Sequence, residues 1–177
     1  LLSAVRDPIN LLGQVAENQL SGLFQPFRIR ALLEQEIGSY TLLDVRTIEE
    51  YAQSSMPGAT HIPYEILREQ YDTLPWNKPI YLFSQTGRRA YLAARILQQN
   101  GFAHVYVLDG GYTVYRALLR QARTIAESNP HHEEACPQCG SHWLQADEEM
   151  IANNPFYLLG HAFGWPLHAC YGAYECL

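Results

Sequence analysis

Five times between residues 25 and 121, a short apolar run gives way to a stretch with helical spacing: "PFRI" then "RALLEQEI", "TLLDVR" then "TIEEYAQ", "THIP" then "YEILREQY", "PIYLF" then "GRRAYLAARILQQNG", and "HVYVLD" then "GYTVYRALLRQ". Runs this short and this apolar suit strands buried on both faces, and the intervening helices supply the cover. The expected fold class is therefore α/β, a five-stranded parallel sheet with helices on both faces. Ligands of such sheets gather at the carboxyl ends of the strands. Ser84 follows the fourth strand and Asp44 to Arg46 end the second, so the two are expected to meet there.

Three parts are expected along the chain. Residues 1–24 hold "DPINLLGQVAENQL", in which Asp7 can cap a helix opened by Pro8, with Ile9, Leu12, Val15, Ala16 and Leu20 on one face. That face needs a partner, and "SGLFQP" after it reads as a linker. Residues 25–121 form the α/β domain. Residues 122–177 read as an irregular Cys/His-rich extension, with five of the seven histidines, all four cysteines and at most a short helix over "ADEEMIA".

At 177 residues the chain holds one core of ordinary size plus appendages. Its charge of -6 is unevenly spread: seven acids and no Lys or Arg follow residue 123, whereas the residues before carry 12 basic and 11 acidic side chains. No broad basic face results, so a nucleic-acid partner is not expected. Nor is a membrane span, because no apolar run approaches the roughly 18 residues required. The opening "LLSAVRDPINLL" lacks a basic leader and a continuous apolar block, so a cytoplasmic setting is expected. Starting at Leu1, the chain reads as a piece of something longer.

The chemistry is expected in "YLFSQTGRRA", Tyr81 to Ala90. A loop that enters a helix offers unpaired backbone N–H groups and the positive end of the helix dipole to a negative group at its centre. Gly87 permits a tight backbone approach, while Arg88 and Arg89 add charge and forked donors. Ser84, Gln85, Thr86, Gly87, Arg88 and Arg89 thus make a candidate anion-binding loop. The plainer reading is that Ser84 caps the helix and the arginines face solvent.

Beyond these local arguments, residues 25–121 resemble a rhodanese-like domain. "LLDVRTIEEYAQSSMPGATHIP" resembles the first signature of that family, with Asp44, Arg46, Glu50, Gly58, Ala59, Ile62 and Pro63 in place, and "LDGGYTVY" resembles its closing signature through Gly110 and Gly111. The family's active-site loop is Cys-x-x-Gly-x-Arg; "SQTGRR" matches at Gly87 and Arg89 but sets Ser84 where the catalytic cysteine belongs. The resemblance implies a domain built to carry sulfane sulfur as a cysteine persulfide. A hydroxyl forms no persulfide, so ordinary thiosulfate sulfurtransferase activity is not expected of Ser84. A binding or regulatory module for a small anion, a sulfur-containing small molecule or a thiol carrier is expected instead. The loop is one residue shorter than in related phosphatases, which argues against phosphate chemistry.

Together with "SAVRDPINLLGQVAENQLSG", the same motifs resemble the carboxyl-terminal portion of a coenzyme A-disulfide reductase, an FAD-dependent pyridine nucleotide-disulfide oxidoreductase fused to a rhodanese module. That resemblance implies an upstream oxidoreductase domain as partner, a homodimer formed through it, and FAD and NAD(P)H bound in the parent. No cofactor is expected in this chain, which has no Gly-x-Gly-x-x-Gly turn. Cys136 and Cys139 form a Cys-x-x-Cys turn that Cys170 and Cys176 could complete as a zinc site, with His142, His161 or His168 as substitutes. The alternatives are incidental cysteines or a redox pair in which Cys136 or Cys139 supplies the missing thiol as a persulfide relay. A further alternative is that Ser84 replaces a native cysteine by engineering. Asp44 and Arg46 read as structural, satisfying the loop backbone and each other. His61 and His104 read as strand-end residues, and Tyr91, Ala94, Ile96, Leu97 and Gln98 as a core stripe.

Overall fold

The structure, a computed structural model, describes residues 7–33, 35–36 and 38–128. Five strands, β1 (Gln25–Phe27), β2 (Thr41–Asp44), β3 (Thr60–His61), β4 (Ile80–Phe83) and β5 (Val105–Leu108), form one sheet in the order β1-β5-β4-β2-β3. Every pairing is parallel, as the strand–helix alternation requires. The helices are α1 (Pro8–Leu20), α2 (Arg30–Leu33), α3 (Ile48–Gln53), α4 (Leu67–Gln70), α5 (Arg88–Gln99) and α6 (Gly111–Ser128), with 3-10 turns on either side of α4.

The two-residue period of the strands divides the core. On one face Phe27, Leu42, Tyr81, Phe83 and Leu108 pack with Leu32 of α2 and with Tyr112, Tyr115 and Ala122 of α6. On the other, Leu43, Ile80, Leu82, Val105 and Val107 pack with Leu67 of α4 and with Ala90, Ala93, Ala94, Ile96 and Leu97 of α5. All four side chains of β4 are buried, as befits the central strand. Burial at this level contributes about 1.5–3 kcal/mol for each large apolar side chain.

The stripe expected on α5 is core at Ala94, Ile96 and Leu97. Helix α6 runs on to Ser128, past the point at which the composition changes. The helix expected over "YEILREQY", residues 64–71, is instead one short α-turn between two 3-10 turns that run on to Thr73. Its apolar positions Ile66, Leu67 and Leu74 are spaced for burial against the sheet rather than along one helical face.

Helix α1 begins as its sequence dictates: Asp7 caps it by accepting from the N–H of Ile9 at 2.9 Å, and Pro8 opens it. None of its residues is buried, and Ile9, Leu12 and Leu20 are 78%, 69% and 89% exposed. Its carboxyl end is tied to the domain by Phe24, edge-on to Tyr91, and by the carbonyl of Leu23, which accepts from Arg95 Nη1 at 3.3 Å.

Candidate functional site

The turn that leaves β4 and enters α5 carries the candidate loop. Gly87 takes φ 93°, a left-handed conformation that a side chain would strain, and this aims the chain into the helix. Ser84 is only 1% exposed, and its Oγ accepts from the N–H of Gly87 at 3.1 Å and of Ala90 at 3.2 Å. Ala90 is the third residue of α5, so the Ser84 hydroxyl meets one of the donors that a helix start leaves unpaired. The N–H groups of Gln85, Thr86, Arg88 and Arg89 make no hydrogen bond among the described residues. They are the donors left for an anion.

A second helix start holds the loop from outside. The N–H of Tyr112 donates to Ser84 O at 2.9 Å, and the N–H and Oγ1 of Thr113 donate to Gln85 O at 3.1 and 2.8 Å. Such an approach needs the Gly110–Gly111 pair. A Cβ on Gly111, which has φ 61°, would lie 2.5 Å from Ser84 O and 2.9 Å from both Gln85 O and Gly87 N.

Beneath this contact lies a buried ion pair, with Asp44 0% and Arg46 1% exposed. Arg46 donates from its backbone N and Nε to Asp44 Oδ1, each at 3.0 Å, and from Nη2 to Oδ2 at 2.7 Å. Nη2 also donates to Ser54 O at 2.6 Å, and Ser55 Oγ donates to Asp44 Oδ2 at 2.8 Å. The guanidinium lies 3.9 Å from the ring centroid of Tyr112. Asp44 and Arg46 therefore knit the end of β2 to the turn that clamps the loop. Neither has the exposure that a proton-transfer group acting on a ligand would need.

Glu50 and Arg89 occupy the rim. Thr47 and Glu50 form a capping box on α3, in which Glu50 Oε2 accepts from Thr47 N at 2.9 Å and Thr47 Oγ1 accepts from Glu50 N at 3.3 Å. Arg89 Nη2 donates to both Glu50 oxygens, at 2.7 and 2.6 Å. Partial burial pushes the Glu50 carboxyl upward, but the Thr47 N–H and the guanidinium of Arg89 outweigh it and hold the group below its usual range.

The residues singled out in the sequence thus gather at the carboxyl edge of the sheet: Ser84 to Arg89, Asp44, Arg46, Glu50, Gly110 and Gly111. Two of them do not point into the loop. Arg89 is engaged by Glu50, and the Gln85 side chain turns outward, Nε2 donating to Thr113 Oγ1 at 3.3 Å and Oε1 lying 3.5 Å from Arg46 Nη1. Arg88 is the exposed cation of the loop. Thr113, Tyr112 and Ser55 were not visible as contributors, because each acts across the fold. The capping box was readable, since "TIEE" carries a Thr three residues before a Glu. His61, expected as a strand-end residue, stacks on Tyr51 with centroids 4.1 Å apart, and its Nε2 lies 3.0 Å from Arg46 O.

Cys136, Cys139, Cys170 and Cys176, with His142, His161 and His168, lie outside the described residues. Among the described residues no group of His, Cys, Asp and Glu is placed to hold a metal ion, and no helix is long and apolar enough to cross a membrane.

Comparison with known proteins agrees with this geometry. The rhodanese-like domain family matches residues 30–118. The tRNA sulfurtransferase of Desulfurococcus amylolyticus is 38% identical over 86 residues, which cover 49% of this chain and 17% of that protein. The crystal structure of reduced Bacillus anthracis CoADR-RHD superposes with a TM-score of 0.59 at 35% identity, covering 67% of this chain and 21% of that one. The NAD-dependent persulfide reductase of A. fulgidus superposes with a TM-score of 0.51, also at 35% identity, covering 62% of this chain and 19% of the other. The chain therefore spans about a fifth of the length of each of these relatives. With the family match over half its length, and with a five-stranded parallel sheet and the glycine-clamped loop in place, this chain belongs to the rhodanese-like domain family.

Proposed function

We infer that this domain holds a small anion, or the sulfur of a thiol partner, at the loop of residues 84–89 without forming a persulfide of its own. It serves as a binding or regulatory module of a larger disulfide- or sulfur-handling oxidoreductase. The observation that carries this reading is Ser84: a buried hydroxyl at the base of the loop, its oxygen receiving the N–H groups of Gly87 and Ala90. These donors favour negative charge, yet a serine hydroxyl does not ionise readily near neutral pH, whereas a thiol in the same cradle would. The likeness to CoADR-RHD and to an NAD-dependent persulfide reductase, each far longer than this chain, supports an upstream reductase domain; FAD and NAD(P)H bound there, a homodimer formed through it and a cytoplasmic setting belong to the same proposal. Helix α1, whose apolar face none of the described residues buries, is where such a domain would join.

The test compares the native chain with Ser84→Cys in thiosulfate:cyanide sulfur transfer, with intact mass read for an added sulfur. In the variant the thiolate attacks the sulfane sulfur of thiosulfate. The S–S bond breaks, sulfite leaves with the electron pair, and cyanide then removes the sulfur as thiocyanate. Transfer by the variant alone is the expected outcome. Transfer by the native chain sinks the reading.

A second reading places the thiol in the extension, at Cys136 or Cys139. Helix α6 starts against the loop and its 18 residues carry the chain about 27 Å away. The residues from 129 to Cys136 span about the same length when extended, and those to Cys139 about 10 Å more, so the return is within reach. A native chain that acquires sulfur, and loses it in Cys136→Ala or Cys139→Ala, would establish this second reading.

A further inference from the structure

A cavity of about 320 Å³ lies beside the β5–α6 turn, and no residue from 84 to 89 lines it. Its walls include Arg28 and Arg30, which follow β1, Leu108 and Asp109, which end β5, and Val114 and Leu118 of α6. Its volume falls at the lower end of the roughly 300–1,000 Å³ of small-molecule sites. It also opens at the carboxyl ends of two neighbouring parallel strands, where sheets of this class hold ligands.

The lining selects a chemical class. Leu108 is 2% exposed and forms an apolar floor, Leu118 is half-buried beside it, and Val114, at 43% exposed, stands at the mouth. Two guanidinium groups against one carboxylate leave a single excess positive charge. Asp109 opposes a second negative charge on any occupant. Arg28 and Arg30 are both exposed beside the cavity, and Arg30 already has an interaction within the fold. A guanidinium fork fits a carboxylate better than it fits a point anion.

We propose that this cavity binds a small organic monocarboxylate with an apolar body, its carboxylate on Arg28 and its body against Leu108 and Leu118. The site is separate from the loop, and it stands or falls independently of the chemistry at Ser84.

Amide ¹⁵N–¹H spectra of the whole chain, titrated with phenylacetate, test it. Phenylacetamide, which keeps the body without the charge, and acetate, which keeps the single charge without the body, are the comparisons. Phenylacetate is expected to give saturable shifts at Ile29, Asp109, Val114 and Leu118, with affinity about tenfold or more above either comparison. Arg28→Gln, at an exposed position, should weaken binding about fivefold or more. Val114→Trp, which fills the mouth from an exposed position, should abolish binding with Arg28 intact. The proposal is overturned if phenylacetate does not bind, if acetate binds as tightly, if the shifts fall on residues 84–89, or if Arg28→Gln binds as the native chain does.

Discussion

Arg89 Nη2 lies within 2.7 Å of both carboxylate oxygens of Glu50, joining the first turn of α5 to the capping box of α3 across the mouth of the loop. The second arginine of "GRR" is thus spent on the scaffold, and the loop offers a ligand chiefly its backbone N–H groups and Arg88. A pH dependence follows. Glu50 is held below its ordinary pKa of 4.5, so its contribution to stability is fully present above that value and is lost as pH falls through the lowered one. Glu50→Gln should cost about 1 kcal/mol or less at pH 7, the pair being partly exposed, and the difference from the native chain should vanish on acidification. Urea midpoints at neutral and acidic pH measure this. A gap that widens in acid would contradict the assignment.

Gly111→Ala tests the clamp. The new Cβ would meet Ser84 O, Gln85 O and Gly87 N, all backbone atoms that cannot step aside singly, and the left-handed φ adds its own strain. The expected loss is about 1–3 kcal/mol, with shifted amide resonances across residues 84–90. A variant whose loop resonances match those of the native chain would show that the close approach is not required.

Asp44→Ala removes one half of a pair that is buried on both sides. Arg46 would keep the Ser54 carbonyl and the Tyr112 ring but lose its counter-charge. A loss of about 3–5 kcal/mol is expected, and Asp44→Asn should lose less because it keeps an acceptor. Thermal or urea unfolding reads the difference; equal losses would mean that the retained acceptor contributes nothing, and an Asp44→Asn variant as stable as the native chain would mean that the charge contributes nothing.

Ser84→Ala should strip an acceptor from the N–H groups of Gly87 and Ala90, at a cost of about 1–3 kcal/mol. Hydrogen exchange at the Ala90 amide reports the loss directly. Unchanged protection would mean that the hydroxyl does not cap the helix.

Helix α1 behaves oppositely. Leu12→Ser lies on a face that nothing in the described domain covers, so the unfolding free energy read from urea melts should change by no more than about 0.5 kcal/mol. A larger loss would show that this face is buried in the protein as it exists in solution.

The sheet was legible because each strand is a short apolar run closed by a turn signal, and β4, buried at all four positions, was the plainest of them. The loop was legible because Gly87 and the Gly110–Gly111 pair mark where backbone must bend or approach closely. What the sequence could not supply was the destination of the polar side chains. Arg89 and Gln85 read as ligand donors from their place in the loop, yet each found a partner 39 or 28 residues away. Such pairings depend on the sheet order, which local spacing does not encode. The same holds for Tyr112, whose ring lies against Arg46 only because β4 and β5 are neighbours.

That sheet order has a consequence for how the domain comes into being. Among the described residues the first strand pairs only with the last, Gln25 beside Tyr106 and Phe27 beside Leu108. During synthesis β1 must therefore wait, unpaired, until nearly the whole domain has left the ribosome, and its docking is a contact of long sequence separation and slow closure. A chain arrested before Val105 would already contain α5, against which Phe24 and the Leu23 carbonyl are held, but would lack the strand that β1 pairs with. The addition of β5 therefore does two things at once: it gives β1 its partner and brings Gly111, Tyr112 and Thr113 against the loop.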